Sequence, residues 1–176
     1  FIRQVTGPMD YTPGAMLNSQ KGDWAPSWNR PASLGTRCHE LAKYIVFESP
    51  LQMLSDSPTN YRKEPECLRF LSKVPSVWEK TFAIDGKVGD YVIVARQAAD
   101  GLWYIGAMTD WNARELRFKS DFLPEGEYEM ETYQDGINAD RNAQDYKRMV
   151  TRIKSGNMIR AAMAPGGGFV AVLRKL

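Results

Sequence analysis

At Val74-Pro75-Ser76 the spacing of apolar residues changes from one period to another, so a single kind of packing cannot serve the whole chain. Upstream, Leu34, Cys38, Leu41, Ala42, Ile45 and Val46 recur at spacings of three and four, which predicts a helix over 33–49. Ser33 or Thr36 is available to cap its start, and Pro50 ends it. Leu51-Gln52-Met53-Leu54 then reads as a short strand closing on Asp56-Ser57-Pro58. A second helix is expected over 64–73, with Pro65 near its start and Cys67, Leu68, Phe70 and Leu71 as its apolar positions. Phe1-Ile2-Arg3-Gln4-Val5 also reads as strand, and it resembles neither a native start nor a signal peptide, so the chain looks cut from a longer one. Strand, long loop, helix, strand and helix in that order predict an α/β unit, a parallel sheet covered by helices, open or closed into a barrel.

Downstream of Pro75 the helical period is gone. Short apolar or alternating segments follow at 81–84, 91–96, 103–108, 115–119, 128–133, 149–153, 158–163 and 169–173, with turns at Asp85-Gly86, Asp100-Gly101, Asp135-Gly136 and Ser155-Gly156. That pattern predicts an all-β unit, an antiparallel β-sandwich. The fold class expected for the whole is therefore α/β plus all-β.

Charge narrows the partners. The 23 basic and 21 acidic residues nearly cancel and are interspersed, which argues against nucleic acid or an anionic membrane as the main partner. No apolar stretch approaches the roughly 20 residues needed to span a bilayer. Cys38 and Cys67 are too few for a disulfide framework and lack zinc spacing; they read as packing residues, or as a single bridge.

Several residues have the chemistry of a site. Asp10 and Tyr11 follow the first strand, and in parallel β/α architectures ligands lie beyond the carboxyl ends of strands. The loop that follows, reaching Arg30, carries Trp24 and Trp28 among polar residues, and a flat indole beside polar groups suits the apolar face and hydroxyl rim of a sugar. Glu48 and Asp56 flank the second strand as paired carboxylates; Glu48 precedes it, on the wrong rim, and Asp56 lies at its carboxyl end, where Asp-Ser-Pro is also an ordinary turn and helix-start signal. His39 has no second histidine to build a metal site or a triad with, so it reads as a helix-surface or packing residue. The stretch 135–145 is rich in oxygen donors suited to calcium but lacks EF-hand spacing, and a wide turn explains it equally. Gly166-Gly167-Gly168 reads as a flexible turn.

Seven segments taken in order resemble glycoside hydrolase family 97: Gly7-Pro8-Met9-Asp10-Tyr11-Thr12-Pro13-Gly14-Ala15-Met16, Gly35-Thr36-Arg37-Cys38-His39-Glu40-Leu41-Ala42, Phe47-Glu48-Ser49-Pro50-Leu51-Gln52-Met53, Asp56-Ser57-Pro58-Thr59-Asn60-Tyr61, Trp103-Tyr104-Ile105-Gly106-Ala107-Met108-Thr109-Asp110-Trp111, Asp135-Gly136-Ile137-Asn138-Ala139-Asp140 and Ala164-Pro165-Gly166-Gly167-Gly168. The resemblance implies a large secreted or periplasmic enzyme with an N-terminal β-sandwich, a (β/α)8 barrel and a C-terminal β domain. Residues 1–75 would be the last two βα units of the barrel and residues 76–176 the β-sandwich domain. It implies an α-linked oligosaccharide as substrate, with calcium near a site whose catalytic and calcium-binding carboxylates lie ahead of Phe1. No catalytic or metal residue is then expected in this chain; Asp10, Tyr11, Trp24 and Trp28 are the substrate-binding candidates. Pro13-Gly14-Ala15-Met16 and Pro50-Leu51-Gln52-Met53 look more like the inverting α-glucosidase branch than the retaining α-galactosidase branch. A carbohydrate-binding or structural module without activity is the competing reading.

Overall fold

The computed structural model describes residues 6–176, so the strand expected at 1–5 lies outside the described residues. A two-residue parallel pair, β1 (Asn18–Ser19) and β2 (Ser33–Leu34), precedes three helices, α1 (Arg37–Val46), α2 (Pro58–Lys63) and α3 (Pro65–Leu71). Eight strands follow: β3 (Lys80–Lys87), β4 (Tyr91–Gln97), β5 (Trp103–Thr109), β6 (Arg114–Lys119), β7 (Glu127–Asp135), β8 (Tyr146–Lys154), β9 (Met158–Met163) and β10 (Gly168–Lys175). Every strand expected after Pro75 is present. The Asp85-Gly86 dipeptide, expected to end the first of them, lies inside β3 as an irregularity in its pairing with β4, and the chain turns at 88–90 instead.

Six strands form one antiparallel sheet in the order β3-β4-β5-β10-β7-β8, and β6 pairs with β9 as a separate ribbon. Both faces of the sheet centre are buried, so β5 and β10 read as nearly continuous apolar runs. Alternate residues divide between the faces. Trp103, Ile105, Ala107, Phe169, Ala171 and Leu173 join Phe118, Ile159, Ala161 and Met163 of the ribbon in one core. Tyr104, Tyr133 and Val170 face the other way, into a second core with Cys38, Leu41, Ala42 and Ile45 of α1 and Phe70 of α3. The result is three layers, ribbon, sheet and helices, and the second core runs across Pro75.

Helix α1 is seated closely. Thr36 caps it, its hydroxyl oxygen accepting the His39 N–H at 3.1 Å, while Ser33 belongs to β2. The Thr36 and Arg37 amides, which have no acceptor within a helix, donate to Gly166 O at 2.9 Å and Ala143 O at 2.7 Å in loops of the β region. A Cβ on Gly106 of β5 would stand 2.9 Å from the Ile45 side chain, and one on Gly168 would stand 2.5 Å from the Cys38 carbonyl and the His39 amide. Gly166-Gly167-Gly168, expected as a flexible turn, is therefore the surface on which the helix start rests. Each fully buried side chain such as Leu41 or Ile45 contributes roughly 1.5–3 kcal/mol.

Two further expectations change. The segment 51–54 is not a strand; Gln52 makes a single parallel bridge to Tyr11, and Leu51, Met53 and Leu54 are exposed, so no ladder covers them. The turn expected at Asp56-Ser57-Pro58 opens an additional helix, α2, which Ser57 caps by accepting the Asn60 N–H at 3.3 Å; the helix expected over 64–73 is present as α3, kept separate from α2 because Pro65 cannot donate a backbone hydrogen bond within a continuous helix. Both cysteines are buried free thiols, and burial pushes both up, Cys67 to about 11.

Replacing Gly106 with Val overpacks the contact between α1 and β5 and is expected to lower stability by about 1–3 kcal/mol in denaturant melts. Gly22→Ala, at a site with open space, is expected to leave the midpoint unchanged.

Candidate functional site

The segment 13–18 is held by hydrogen bonds from every side. Glu40, buried in α1, accepts the Gly14 N–H at 3.0 Å. The Tyr61 hydroxyl donates to Gly14 O at 2.9 Å and the Tyr44 hydroxyl to Pro13 O at 2.7 Å. Asp56 accepts the Met16 N–H at 2.8 Å. Gly14 has a φ of +88°, and a Cβ there would meet the Tyr44 ring, so the turn requires glycine.

Arg37, also buried, is the hub of this cage. Its guanidinium donates to Met16 O and, at 3.1 Å, to the Gln144 side chain; it pairs with Glu64 at 2.7 Å and lies over the Tyr146 ring. One fork thus ties the segment, the junction of α2 with α3 and the loop after β7 into one body.

Each residue singled out in the sequence has a definite place. Asp10 is exposed. Tyr11 is half-buried: its hydroxyl donates to Lys43 O at 2.8 Å, its ring packs edge-on against Phe47, and burial raises its pKa far above the ordinary value. Trp24 is partly exposed, its indole N–H donating to Ala32 O at 2.8 Å, and Trp28 is fully exposed. Glu48 is exposed, and its backbone carbonyl accepts the Met9 N–H at 3.1 Å. Both oxygens of Asp56 are engaged, by Met16, Ser57 and Asn60. Burial alone would raise its pKa, but these donors hold it below the carboxylate range. His39 donates from Nδ1 to Gly167 O at 3.0 Å, and burial lowers its pKa.

The oxygen-rich stretch 135–145 does not converge on a cation. Asp145 accepts the Asn138 N–H at 2.9 Å and closes the turn internally. Asp135 accepts the Ala164 N–H at 2.9 Å and the Gly168 N–H at 3.1 Å, with the Thr36 hydroxyl and Cys38 thiol also beside it. Among the described residues no group of three or more His, Cys, Asp or Glu is arranged to hold a metal ion. Two concavities lie elsewhere: a 620 Å³ groove where Arg69, Arg148 and Arg174 pair with Glu131 and Glu129, and a 500 Å³ apolar cleft lined by Val46, Phe47, Val92, Val94 and Met108. Neither is lined by Asp10, Trp24 or Trp28.

Against known proteins, the model of the glycosyl-hydrolase 97 C-terminal domain, described with the word oligomerisation, matches residues 77–174. The chain belongs to glycoside hydrolase family 97. It is 46% identical over 174 residues to a retaining α-galactosidase of Bacteroides thetaiotaomicron, covering 99% of this chain and 26% of that protein. A family 97 enzyme of Pseudoalteromonas sp. strain K8, solved in complex with panose, superposes with a TM-score of 0.86 at 33% identity, over 99% of this chain and 27% of that one. A β-arabinopyranosidase, 22% identical with a TM-score of 0.75 over 97% of this chain and 26% of its own, shares the fold. The chain thus spans about a quarter of the length of these relatives.

Family 97 membership agrees with the motif resemblance, whereas the α-glucosidase branch is not supported by the Bacteroides relative, a retaining α-galactosidase. In the structure Pro13-Gly14-Ala15-Met16 is held by hydrogen bonds to its backbone, and Gln52 donates to Tyr44 O at 3.1 Å.

Asp135 supplies a pH-dependent test of the seam below α1. Burial raises its pKa to about 6, against the lowering by Thr36, the two amides and Cys38. A carboxyl whose folded pKa is raised contributes stability that is full below its unfolded value and is lost as pH rises to about 6. The stability difference between wild type and Asp135→Asn, from urea midpoints, is therefore expected to move against wild type between pH 4 and 6 and to stay level above. A second test is Arg37→Lys, which keeps the charge but loses the fork; a cost of about 1–3 kcal/mol is expected in the same melts.

Proposed function

We propose that this chain is the C-terminal part of a retaining α-galactosidase that removes α-linked galactose from oligosaccharides. The observation that carries this reading is the 46% identity to the Bacteroides retaining α-galactosidase over nearly the whole chain, against 33% to the Pseudoalteromonas enzyme. The panose complex of the latter favours a second reading, an α-glucosidase. On the first reading the reaction uses two carboxyl groups about 5 Å apart, one as nucleophile and one as acid and base, supplied upstream of this chain. Calcium is held upstream as well; in this chain Asp56, Asp135 and Asp145 are engaged in packing and turns.

In this proposal residues 1–75 are the last two βα units of the barrel. The parallel Tyr11–Gln52 bridge, each side of which is followed in the chain by helix, supports that arrangement. Residues 76–176 are the β domain, whose partners are the rest of the enzyme and, in keeping with the family description, a second copy. Asp10, Tyr11, Trp24 and Trp28 lie on the substrate rim: the two indoles offer faces to sugar rings, Asp10 a hydroxyl acceptor, and Tyr11 a wall fixed by Lys43. A secreted or periplasmic location goes with an oligosaccharide substrate.

The full-length enzyme is expected to hydrolyse an aryl α-galactoside faster than the aryl α-glucoside, with retained configuration in the first-formed sugar by NMR. The reverse preference with inversion would select the second reading, and no hydrolysis of either would leave a binding or structural module. Asp10→Ala is expected to lower kcat/KM, and Trp28→Ala to raise KM for an oligosaccharide by about 2- to 10-fold, the loss of one aromatic contact.

A further inference from the structure

We propose that Gln20 is a positioning residue through which the β domain sets the aromatic loop 20–32 against the substrate; this rests on the reading of Trp24 and Trp28 as sugar contacts. The loop is pinched at its base by the β1–β2 pair, with Leu17 O accepting the Ser33 N–H and Ser19 O accepting the Gly35 N–H, each at 2.9 Å. Immediately inside the pinch Gln20 is buried. Its side-chain amide donates both hydrogens across the molecule, to Ala139 O at 2.7 Å in the loop between β7 and β8 and to Pro165 O at 3.0 Å in the turn between β9 and β10.

Its backbone carbonyl meanwhile accepts the Asp23 N–H at 3.0 Å and the Trp24 N–H at 3.1 Å, which forms the turn carrying the first indole. The Trp24 indole then reaches the other limb at Ala32. Lys21 adds a third tie, its ammonium 5.9 Å from the centre of the Trp111 ring in the loop between β5 and β6. Three loops at one end of the β domain therefore hold the foot of a loop whose outer part, 21–31, is exposed.

Two carbonyl acceptors require a neutral group with two N–H donors at this reach. Glutamine provides it, and glutamate of the same shape would turn a carboxylate toward both carbonyls. The β domain thereby acquires a role in substrate selection besides assembly. A loop that grips the longer substrate acts on its binding, so the loss of its foot is expected there and not in the chemical step.

The test compares Gln20→Glu, Trp28→Ala and the double variant in the full-length enzyme, with kcat and KM measured for raffinose and for an aryl α-galactoside. Gln20→Glu is expected to raise the ratio of the two KM values, raffinose over aryl, by about 2- to 10-fold with little change in the kcat ratio. The double variant is expected to be worse than Trp28→Ala alone by no more than Trp24→Ala adds, since Gln20 acts through the two indoles of the loop. If Trp28→Ala raises the ratio and Gln20→Glu does not, the positioning role is overturned and the sugar reading stands. If Trp28→Ala and Trp24→Ala both leave it unchanged, the sugar reading fails and this inference with it. An equal fall of kcat on both substrates in Gln20→Glu would mark a merely structural residue and also overturn it. Gln20→Met, of similar volume without donors, replaces Gln20→Glu should the latter not fold.

Discussion

The seat of α1 on the glycine turn is the contact on which the rest of the structure depends. Gly166 and Gly167 offer carbonyls to Thr36 and His39, and Gly168 lets the backbone of Cys38 and His39 come within contact distance of β10. Asp135 fixes the turn from behind by holding the amides on both sides of it. Without that approach, the apolar face of α1 would not reach Tyr104, Tyr133 and Val170, and the second core would open. The seam also joins residues far apart in sequence, so the helical stretch and the sheet are positioned together.

From this seat the candidate rim follows by a chain of polar contacts. Arg37, in the first turn of α1, reaches the segment 13–18 and the loop after β7 at once. Glu40 and Tyr44, on the next turns, hold the backbone at Gly14 and Pro13. Burying so many polar groups is tolerable because each finds a partner, and the satisfied network allows one arrangement of the loop where an apolar core would allow several.

Much of this was legible in the sequence where the signal is local. Spacings of three and four gave α1, and alternation located the eight strands after Pro75, although Asp85-Gly86 lies inside the first of them and not at its end. Trp24 and Trp28 stood out as large aromatics in a polar loop, and they are exposed. What escaped depends on partners distant in the chain. The segment 51–54 has the composition of a strand, but only Gln52 finds a backbone partner. The glycine turn reads as flexible until α1 is laid on it, some 130 residues away in sequence. Gln20 gives no local sign of its role, since its acceptors are 119 and 145 residues further on. Seven ordered motifs were enough for the family, but two short motifs were not enough for its branch.

Native-state hydrogen exchange most directly tests whether helix and sheet form one body. If the seam holds as described, amides at 41–46 of α1 and those at the centres of β5 and β10 will exchange through the same opening, with equal free energies and equal dependence on denaturant. Exchange of α1 through a separate opening of much lower free energy, with the sheet still protected, would contradict it.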